Sequence, residues 1–334
     1  MYRHSPARRG LLALALASIC GAAVAGKGAA PATPGWPAKP LRIIVGFPPG
    51  SSPDLTARTF SEPLSQALGQ PVIVENKVGA GGNIGADAVA KARDDHTIGL
   101  FINGNLTIAR LLNPQLPYDP ARDLAPLSLI GVSPLVLSAP VGQGDAPADA
   151  RAFVQAARQA GNRWSYGTPG VGTVGHLGTE LLKARTGIAP VHIPYPGYPQ
   201  VVTAMLGGQL QMALLPPALA QAQERAGKLR LIGVTSAGRS ALAPHVPSLA
   251  EADVRDFQLE IWNAFAAPAA MPAPVRARLS VLIGEIARSP EVRAKLFQQG
   301  WQAVGSSAEG LANRIQADTA AMARVIREQG IRAE

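Results

Sequence analysis

The 334-residue chain has one cysteine, Cys20. An internal disulfide and a cysteine-built metal site are thereby excluded. Its five histidines, His4, His96, His176, His192 and His245, are scattered without an HExxH or HxH pair. No zinc enzyme is expected from such spacing. Aromatic residues are 5% and charged residues 16% of the chain. The net charge is +9, yet no five basic residues run together. A nucleic-acid site concentrates that charge in a patch or stripe, so the reading is a basic surface with no nucleic-acid partner. Beyond the N-terminal segment no apolar run reaches about 18 residues, the length a membrane helix needs. There is no P-loop and no GxSxG elbow.

What is present is apolar bulk and turns. Hydrophobic residues are 47%, with Gly 35 and Pro 30. A sizeable core is therefore available. Arg3, Arg8 and Arg9 stand in an acid-free first decade, the apolar run Leu11 to Ala17 follows, and Ala23-Val24-Ala25 closes the segment. This pattern reads as a signal peptide over 1–25. Ile19 precedes Cys20 where a lipoprotein signal wants a small residue. The Gly-, Ala- and Pro-rich stretch 26–38 reads as a linker. A periplasmic protein is expected.

From Leu41 onward strand-like and helix-like segments alternate. Strands are expected over 41–47, 71–75 and 97–102, with helices over 55–68 and 84–92 between them. Asp54 is the expected N-cap of the first helix, and Pro63 predicts a kink in it. Three βα units imply a mainly parallel sheet flanked by helices. Further strands are expected over 127–132 and 135–139. A second α/β unit follows, with helices over 148–160, 173–185, 199–206 and 218–226 and strands over 163–166, 191–194, 210–215 and 229–235. Segment 258–267 reads as a strand that crosses back. The tail from Pro274 is helical, with a Ser306–Glu309 capping box and an apolar face of Leu311, Ile315, Met322 and Ile326. These last helices have no sheet of their own, so they are expected to return to the first unit. The division is lobe 1 over 39–140, lobe 2 over 141–260 and lobe 1 again over 261–334. That is an α/β, two-lobed fold with a cleft and a hinge.

In open α/β sheets ligands sit beyond the carboxyl ends of strands, at helix N-termini. Five loops qualify: 48–54, 79–83, 103–107, 167–173 and 195–198. Each combines Gly or Pro with Ser, Thr, Asn or Tyr. Free N–H groups and hydroxyls bind an anion without any cationic side chain, and a carboxylate is the natural guest. His176 opens a helix behind one loop, and Trp262, in the crossing-back segment, is a candidate floor of the cleft. The stretch Gly79-Ala80-Gly81-Gly82-Asn83-Ile84 only superficially echoes a dinucleotide fingerprint. Its sixth position is Ile84, and Asn103 stands where the next strand should end in an acid. Neither NAD nor any other cofactor, nor a metal, is expected. A hydrolase using Ser51 or His176 lacks a motif that pairs nucleophile, base and orienting acid.

The segments Lys39 to Gly50 with Pro53-Asp54, Leu68 to Lys77, Gly79 to Ala86, Leu116 to Pro120 and Asp123 to Pro126 occur in a characteristic order. So do Tyr166 to Gly170, His176-Leu177, Ile193 to Tyr195, Gly207 to Gln209 and Gly227 to Arg230. In that order and spacing the chain resembles the tripartite tricarboxylate transporter solute-binding proteins, or Bug receptors, over residues 39 to about 330. The resemblance implies a periplasmic flytrap, a periplasmic-binding-protein fold that traps a small carboxylate between two lobes. It implies ligand contacts at Phe47, Gly50, Ser51, Ser52 and Asp54, and at Asn103, Asn105 and Thr107. In the second lobe it implies contacts at Thr168, Gly170, Val171, Thr173, Tyr195 and Gly197, beside His176 and Trp262 from the residue reading. The expected partners are the ligand and the permease subunits of a tripartite transporter, or alternatively a sensor kinase. A monomer is expected. The sequence departs from the family pattern at three places. Ser51 replaces the second Gly of Pro-Gly-Gly, Pro196 replaces the Lys of Tyr-Lys-Gly, and Leu214-Leu215-Pro216-Pro217 stands in place of Phe-Asp. The loss of that Asp argues against an amino-acid ligand and for a carboxylate with a hydrophobic or aromatic body.

Overall fold

The computed structural model describes residues 35–142, 149–255 and 257–331, together with Met1. The expected signal peptide, Cys20 and most of the 26–38 linker lie outside the described residues, as does Ala148 at the expected start of its helix.

The chain opens with β1 (Leu41–Val45), α1 (Ser52–Leu68), β2 (Val72–Asn76), α2 (Asn83–Ala90) and β3 (Thr97–Ile102). β1 lies in parallel between β2 and β3. Leu41, Ile43, Ile44 and Val45 are all buried, with only Arg42 between them partly exposed, the near-continuous apolar run of a strand covered on both faces. Short helices α3 (Ala109–Leu112) and α4 (Pro120–Asp123) lead into the long strand β4 (Leu124–Pro134). The second unit holds β5 (Val136–Pro140), α5 (Ala150–Ala160), β6 (Ser165–Thr168), α6 (Val174–Thr186) and β7 (Val191–Pro194). It continues with α7 (Tyr198–Leu206), β8 (Ala213–Leu215), α8 (Pro217–Arg225) and β9 (Leu229–Val234). The chain then returns through β10 (Glu260–Pro268), α9 (Ala273–Arg288), α10 (Pro290–Gln298), β11 (Gln302–Ala303) and α11 (Ala308–Gln329).

The large sheet has the order β11-β4-β10-β3-β1-β2. Its β2-β1-β3 side is parallel, whereas β10, β4 and β11 join antiparallel. The sheet is mixed because β4 and β10 are linked through the other lobe, and no βα crossover dictates their direction. In the second lobe β8-β5-β9 is antiparallel and β6-β7 parallel.

The two passages between lobes lie side by side. Leu135 N–H donates to Thr235 Oγ1 at 2.8 Å, and Thr235 N–H donates to the Leu135 carbonyl at 2.9 Å. The Thr235 hydroxyl donates to the Leu259 carbonyl at 2.8 Å, and Leu259 N–H donates back to the Thr235 carbonyl at 2.9 Å. One fully buried threonine stitches both strands of the hinge.

Several local expectations change. The N-cap of α1 is Ser51, in extended backbone, not Asp54. Pro53 sits in the first turn, where its fixed φ and missing N–H suit a helix start. Asp54 is inside that turn, where negative charge meets the positive helix end. α1 runs on through Pro63 to Leu68, with Ala57, Phe60 and Leu64 buried along one face. The tail helix is capped by Ser307, which accepts from Gly310 N–H at 3.1 Å. Ser306 is instead bound to β4: Leu129 N–H donates to its Oγ at 2.9 Å. The expected face of α11 holds, with Leu311 buried and Ile315, Met322 and Ile326 half-buried against the core.

Candidate functional site

Where the lobes face each other they enclose a narrow cavity of about 40 Å³. The lobe 1 wall is the N-terminus of α1 (Ser51, Ser52, Pro53) with Phe47, the end of β3 (Ile102, Asn103), Ile261 and Trp301. The lobe 2 wall is the N-terminus of α6 (Thr173, Val174, Gly175) with Pro169, Tyr198 and Pro216. No Lys, Arg, Asp or Glu lines it.

Two helix N-termini, one from each lobe, thus meet across this space, and each carries the positive end of a helix dipole. The α1 terminus has no capping side chain: Ser51 Oγ and Ser52 Oγ are buried without a hydrogen-bond partner. Asn103 Oδ1 is also buried without a partner, while its Nδ2 donates to the Glu260 carbonyl at 3.1 Å. Trp301 is buried too, and its indole N–H is unpartnered.

Behind the lobe 1 wall, Asp54 is a brace. Its carboxylate accepts from Gly50 N–H at 2.9 Å, Asn76 Nδ2 at 2.9 Å and Arg58 Nε at 3.0 Å. Burial raises its pKa, but the bonds from Arg58, Asn76 and Gly50 outweigh that and hold the carboxyl below its ordinary value. The segment 103–107, expected as a loop, folds as a π-helical turn over Gly104–Ile108 that runs into α3. Such widened turns recur at functional sites. Here the turn buries the side chain of Asn103 and frees its Oδ1. Thr107 Oγ1 donates to the Asn103 carbonyl at 2.7 Å, and Asn105 Nδ2 donates to Asn83 Oδ1 at 2.9 Å and the Gly81 carbonyl at 3.0 Å.

The threonine hydroxyls of the lobe 2 wall are spent within lobe 2, while Nδ1 of His192 behind them is buried without a partner. Thr173 caps α6 by accepting from His176 N–H, and its hydroxyl donates to the Gly170 carbonyl at 2.8 Å. Thr168 Oγ1 lies 2.7 Å from His192 Nε2. His192 stacks on His176 at 4.3 Å and on Tyr166 at 4.9 Å between ring centroids. The Tyr166 hydroxyl donates to Glu180 at 2.5 Å, and Lys183 donates to the same carboxylate at 2.8 Å. Desolvation pushes the His192 pKa down from 6.5 to about 4; Lys183 adds to this and Glu180 opposes it.

The lobes touch around the cavity at backbone distance. A Cβ on Gly170 would lie 2.9 Å from Gly81 Cα, one on Gly104 2.9 Å from the Gly172 carbonyl, and one on Gly197 3.2 Å from Pro48. Gly81 and Gly170 both have positive φ, 62° and 122°, which side-chain-bearing residues resist. A second, wider groove of about 640 Å³ runs between 78–83, 109–113, 170–172 and 194–196.

Of the sequence-predicted residues, Phe47, Ser51, Ser52, Asn103 and Thr173 line the narrow cavity. Gly170, Val171 and Tyr195 line the wider groove. Asp54, Asn105, Thr107, Thr168 and His176 lie behind the walls, Gly50 is exposed, and Gly197 sits at the seam. Trp262 is a correction. It is fully buried on the far side of the sheet with Ile44, Phe101 and Leu311, its Nε1 donating to Asp318 at 2.6 Å. Successive strand residues face opposite ways, so its neighbour Ile261 reaches the cavity instead. Trp301, Tyr198 and Ile102 were missed. Tyr198 stood in a flagged loop, whereas nothing near Trp301 marks it as a cleft residue. Among the described residues no cluster of three His, Cys, Asp or Glu is assembled to hold a metal, and no helix is long and apolar enough to cross a membrane.

The tripartite tricarboxylate transporter family receptor model matches residues 56–331. BugT of Bordetella pertussis is 34% identical over 298 residues, which cover 88% of this chain and 90% of BugT. The structure of the periplasmic binding protein BugD superposes with a TM-score of 0.83 at 26% identity, covering 90% of this chain and all of that one (100%). Rpa4515 of R. palustris with adipate superposes at 0.83 and 28% identity, covering 89% and 99%. MatC of Rhodopseudomonas palustris with bound malate superposes at 0.81 and 26% identity, covering 87% and 100%. By sequence and by fold the chain belongs to the tripartite tricarboxylate transporter receptor family, the periplasmic solute-binding proteins that include the Bug receptors.

Proposed function

We infer that this protein is an exported, non-enzymatic receptor. It captures a small carboxylate between lobe 1, built on the large sheet, and lobe 2, which begins with β5 (Val136–Pro140) and ends before β10, and delivers it to a membrane permease. The observation that carries this is the uncapped α1 terminus: two buried serine hydroxyls without partners on a cleft wall. A buried, unpaired polar group costs free energy that a ligand's oxygen recovers. The helix dipole favours an anion there, and the adipate and malate of the two solved relatives are carboxylates.

The mechanism follows from the hinge. The ligand carboxylate docks first on Ser51, Ser52 and the α1 terminus while the lobes are apart. Rotation about the strands stitched by Thr235 then brings in α6. Closure is favoured by the contacts that the ligand makes only in the closed state. The glycine seam lets the walls meet at backbone distance, so the closed surface differs from the open one and gives a permease something to select. A thermal-shift screen of ligand-stripped protein against mono-, di- and tricarboxylates and acidic amino acids tests the reading. A bound carboxylate at about 100 times its Kd stabilises by roughly 2.7 kcal/mol. No shift with any carboxylate would sink the proposal.

A further inference from the structure

The polar groups of the cavity are not all of one kind, and this deepens the carboxylate reading, on which the following rests. Ser51 and Ser52 can donate to a carboxylate. Asn103 differs in leaving an acceptor unpaired: its Nδ2 donates to the Glu260 carbonyl at 3.1 Å. That bond fixes the amide orientation, because a carbonyl accepts only from the NH₂. What remains is Oδ1, an acceptor, in a side chain that is 5% exposed and lines the cavity. A carboxylate oxygen placed against it would be repelled, whereas a hydroxyl would satisfy it.

The rest of the wall is largely apolar, with Phe47, Ile102, Pro169, Ile261 and the rings of Tyr198 and Trp301; the unpartnered Trp301 indole N–H is, like the serines, a neutral donor. With no Lys or Arg on the wall, a second carboxylate on this surface goes unpaired, and burying an unpaired charge is strongly unfavourable. With no Asp or Glu, an ammonium meets only neutral acceptors and no opposite charge. We propose that the cleft takes a singly charged carboxylate with an apolar body and one neutral hydrogen-bond donor, that is, a hydroxy acid, and that Asn103 reads the donor.

The test is calorimetric titration of the ligand-stripped protein with acids that differ by one hydroxyl. The pairs are mandelate and phenylacetate, 2-hydroxyisovalerate and isovalerate, and 4-hydroxybenzoate and benzoate. Adipate, malate and phenylalanine complete the panel. In at least one pair the hydroxy acid is expected to bind about 10-fold tighter or more, since its absence leaves a buried acceptor unpaired. That acid should also exceed adipate, malate and phenylalanine. In Asn103→Ala the preference should collapse to within about 3-fold, with the deoxy acid's affinity retained. If Asn103→Ala does not fold, the pairs measured on the unchanged protein still decide the ligand class. Equal binding within every pair overturns the inference. So does tightest binding of adipate, malate or phenylalanine, and of these the two dicarboxylates leave the carboxylate receptor intact. A hydroxyl preference that survives in Asn103→Ala removes Asn103 from the role. Binding of no carboxylate overturns both this inference and the receptor reading.

Discussion

Ser51 and Ser52 stand at the start of α1, and Thr173 stands at the start of α6, across the same cleft. The two serine oxygens are buried and unpartnered, whereas the threonine oxygen both caps its helix and bonds the Gly170 carbonyl. One layer back the two walls differ in how they are braced. Behind the serines, Asp54 ties Gly50, Asn76 and Arg58 into a fixed frame. Behind the threonine, His176 and His192 stack on each other, and His192 Nδ1 is buried without a partner. One wall is built to take a ligand's polar end, and the other to fold down over it.

The contrast breaks most severely at the seam. Gly170→Leu places a side chain where a Cβ would already be 2.9 Å from Gly81 Cα, on backbone with φ +122°. Closure should fail, with affinity for the captured carboxylate reduced about 100-fold or more, since the lobe 2 contacts are lost together. Small-angle scattering should show a molecule that no longer compacts on adding ligand. If Gly170→Leu still compacts and binds, lobe 2 is not a lid.

Asp54→Ala comes next. It strands Gly50 N–H and Asn76 and removes the charge at the α1 terminus. A loss of about 3 kcal/mol of stability is expected, the order for breaking a buried charge network, read as a lowered urea midpoint. An equivalent loss from Glu180→Ala on lobe 2 would erase the distinction between the walls.

A paired substitution sharpens the comparison. Ser51→Ala removes an oxygen that has no partner in the protein. It should leave the Tm unchanged while weakening carboxylate binding about 10-fold, the scale of one hydrogen bond to a charged group. Thr173→Ala should do the reverse, lowering stability by about 1 kcal/mol through loss of the α6 cap, with a smaller effect on affinity. Denaturant midpoints and calorimetric Kd values for both variants decide it.

The alternating βα pattern made lobe 1 legible, because β1 and β3 are apolar runs bounded by turn residues. The loops that carry Ser51, Ser52 and Thr173 were legible for the same reason: ligands gather where strands end and helices begin. What failed was facing. β10 was expected, but whether Trp262 or Ile261 looks into the cleft depends on a register of one residue, set by pairing with β3 and β4. The conformation of 103–107 also lay beyond the sequence, since a π-helical turn has no compositional mark. Trp301 follows Gly300 at the end of α10, some 250 residues from Ser51 in the chain. Only the return of the tail to lobe 1 brings the two together.

The smallest expected effect is on pH dependence, and it separates the lobes in the same way. His192 has a folded pKa lowered from 6.5 to about 4, so the folded chain resists a proton that the unfolded chain accepts. Its contribution to stability is whole above pH 6.5 and shrinks as pH falls toward about 4. Asp54 acts lower down. Its pKa is held beneath 3.8, so its contribution is present above that value and is lost only as pH falls through the folded pKa. Lobe 2 should therefore loosen before lobe 1 on acidification. Hydrogen exchange at pH 6.5 and pH 4.5 should show protection falling first in β6, β7 and α6, where His192 packs against Thr168, Tyr166 and His176. His192→Gln should flatten that difference while leaving the pH response around α1 unchanged. A uniform loss of protection across both lobes would mean that the stacked histidines do not control the stability of the closing wall.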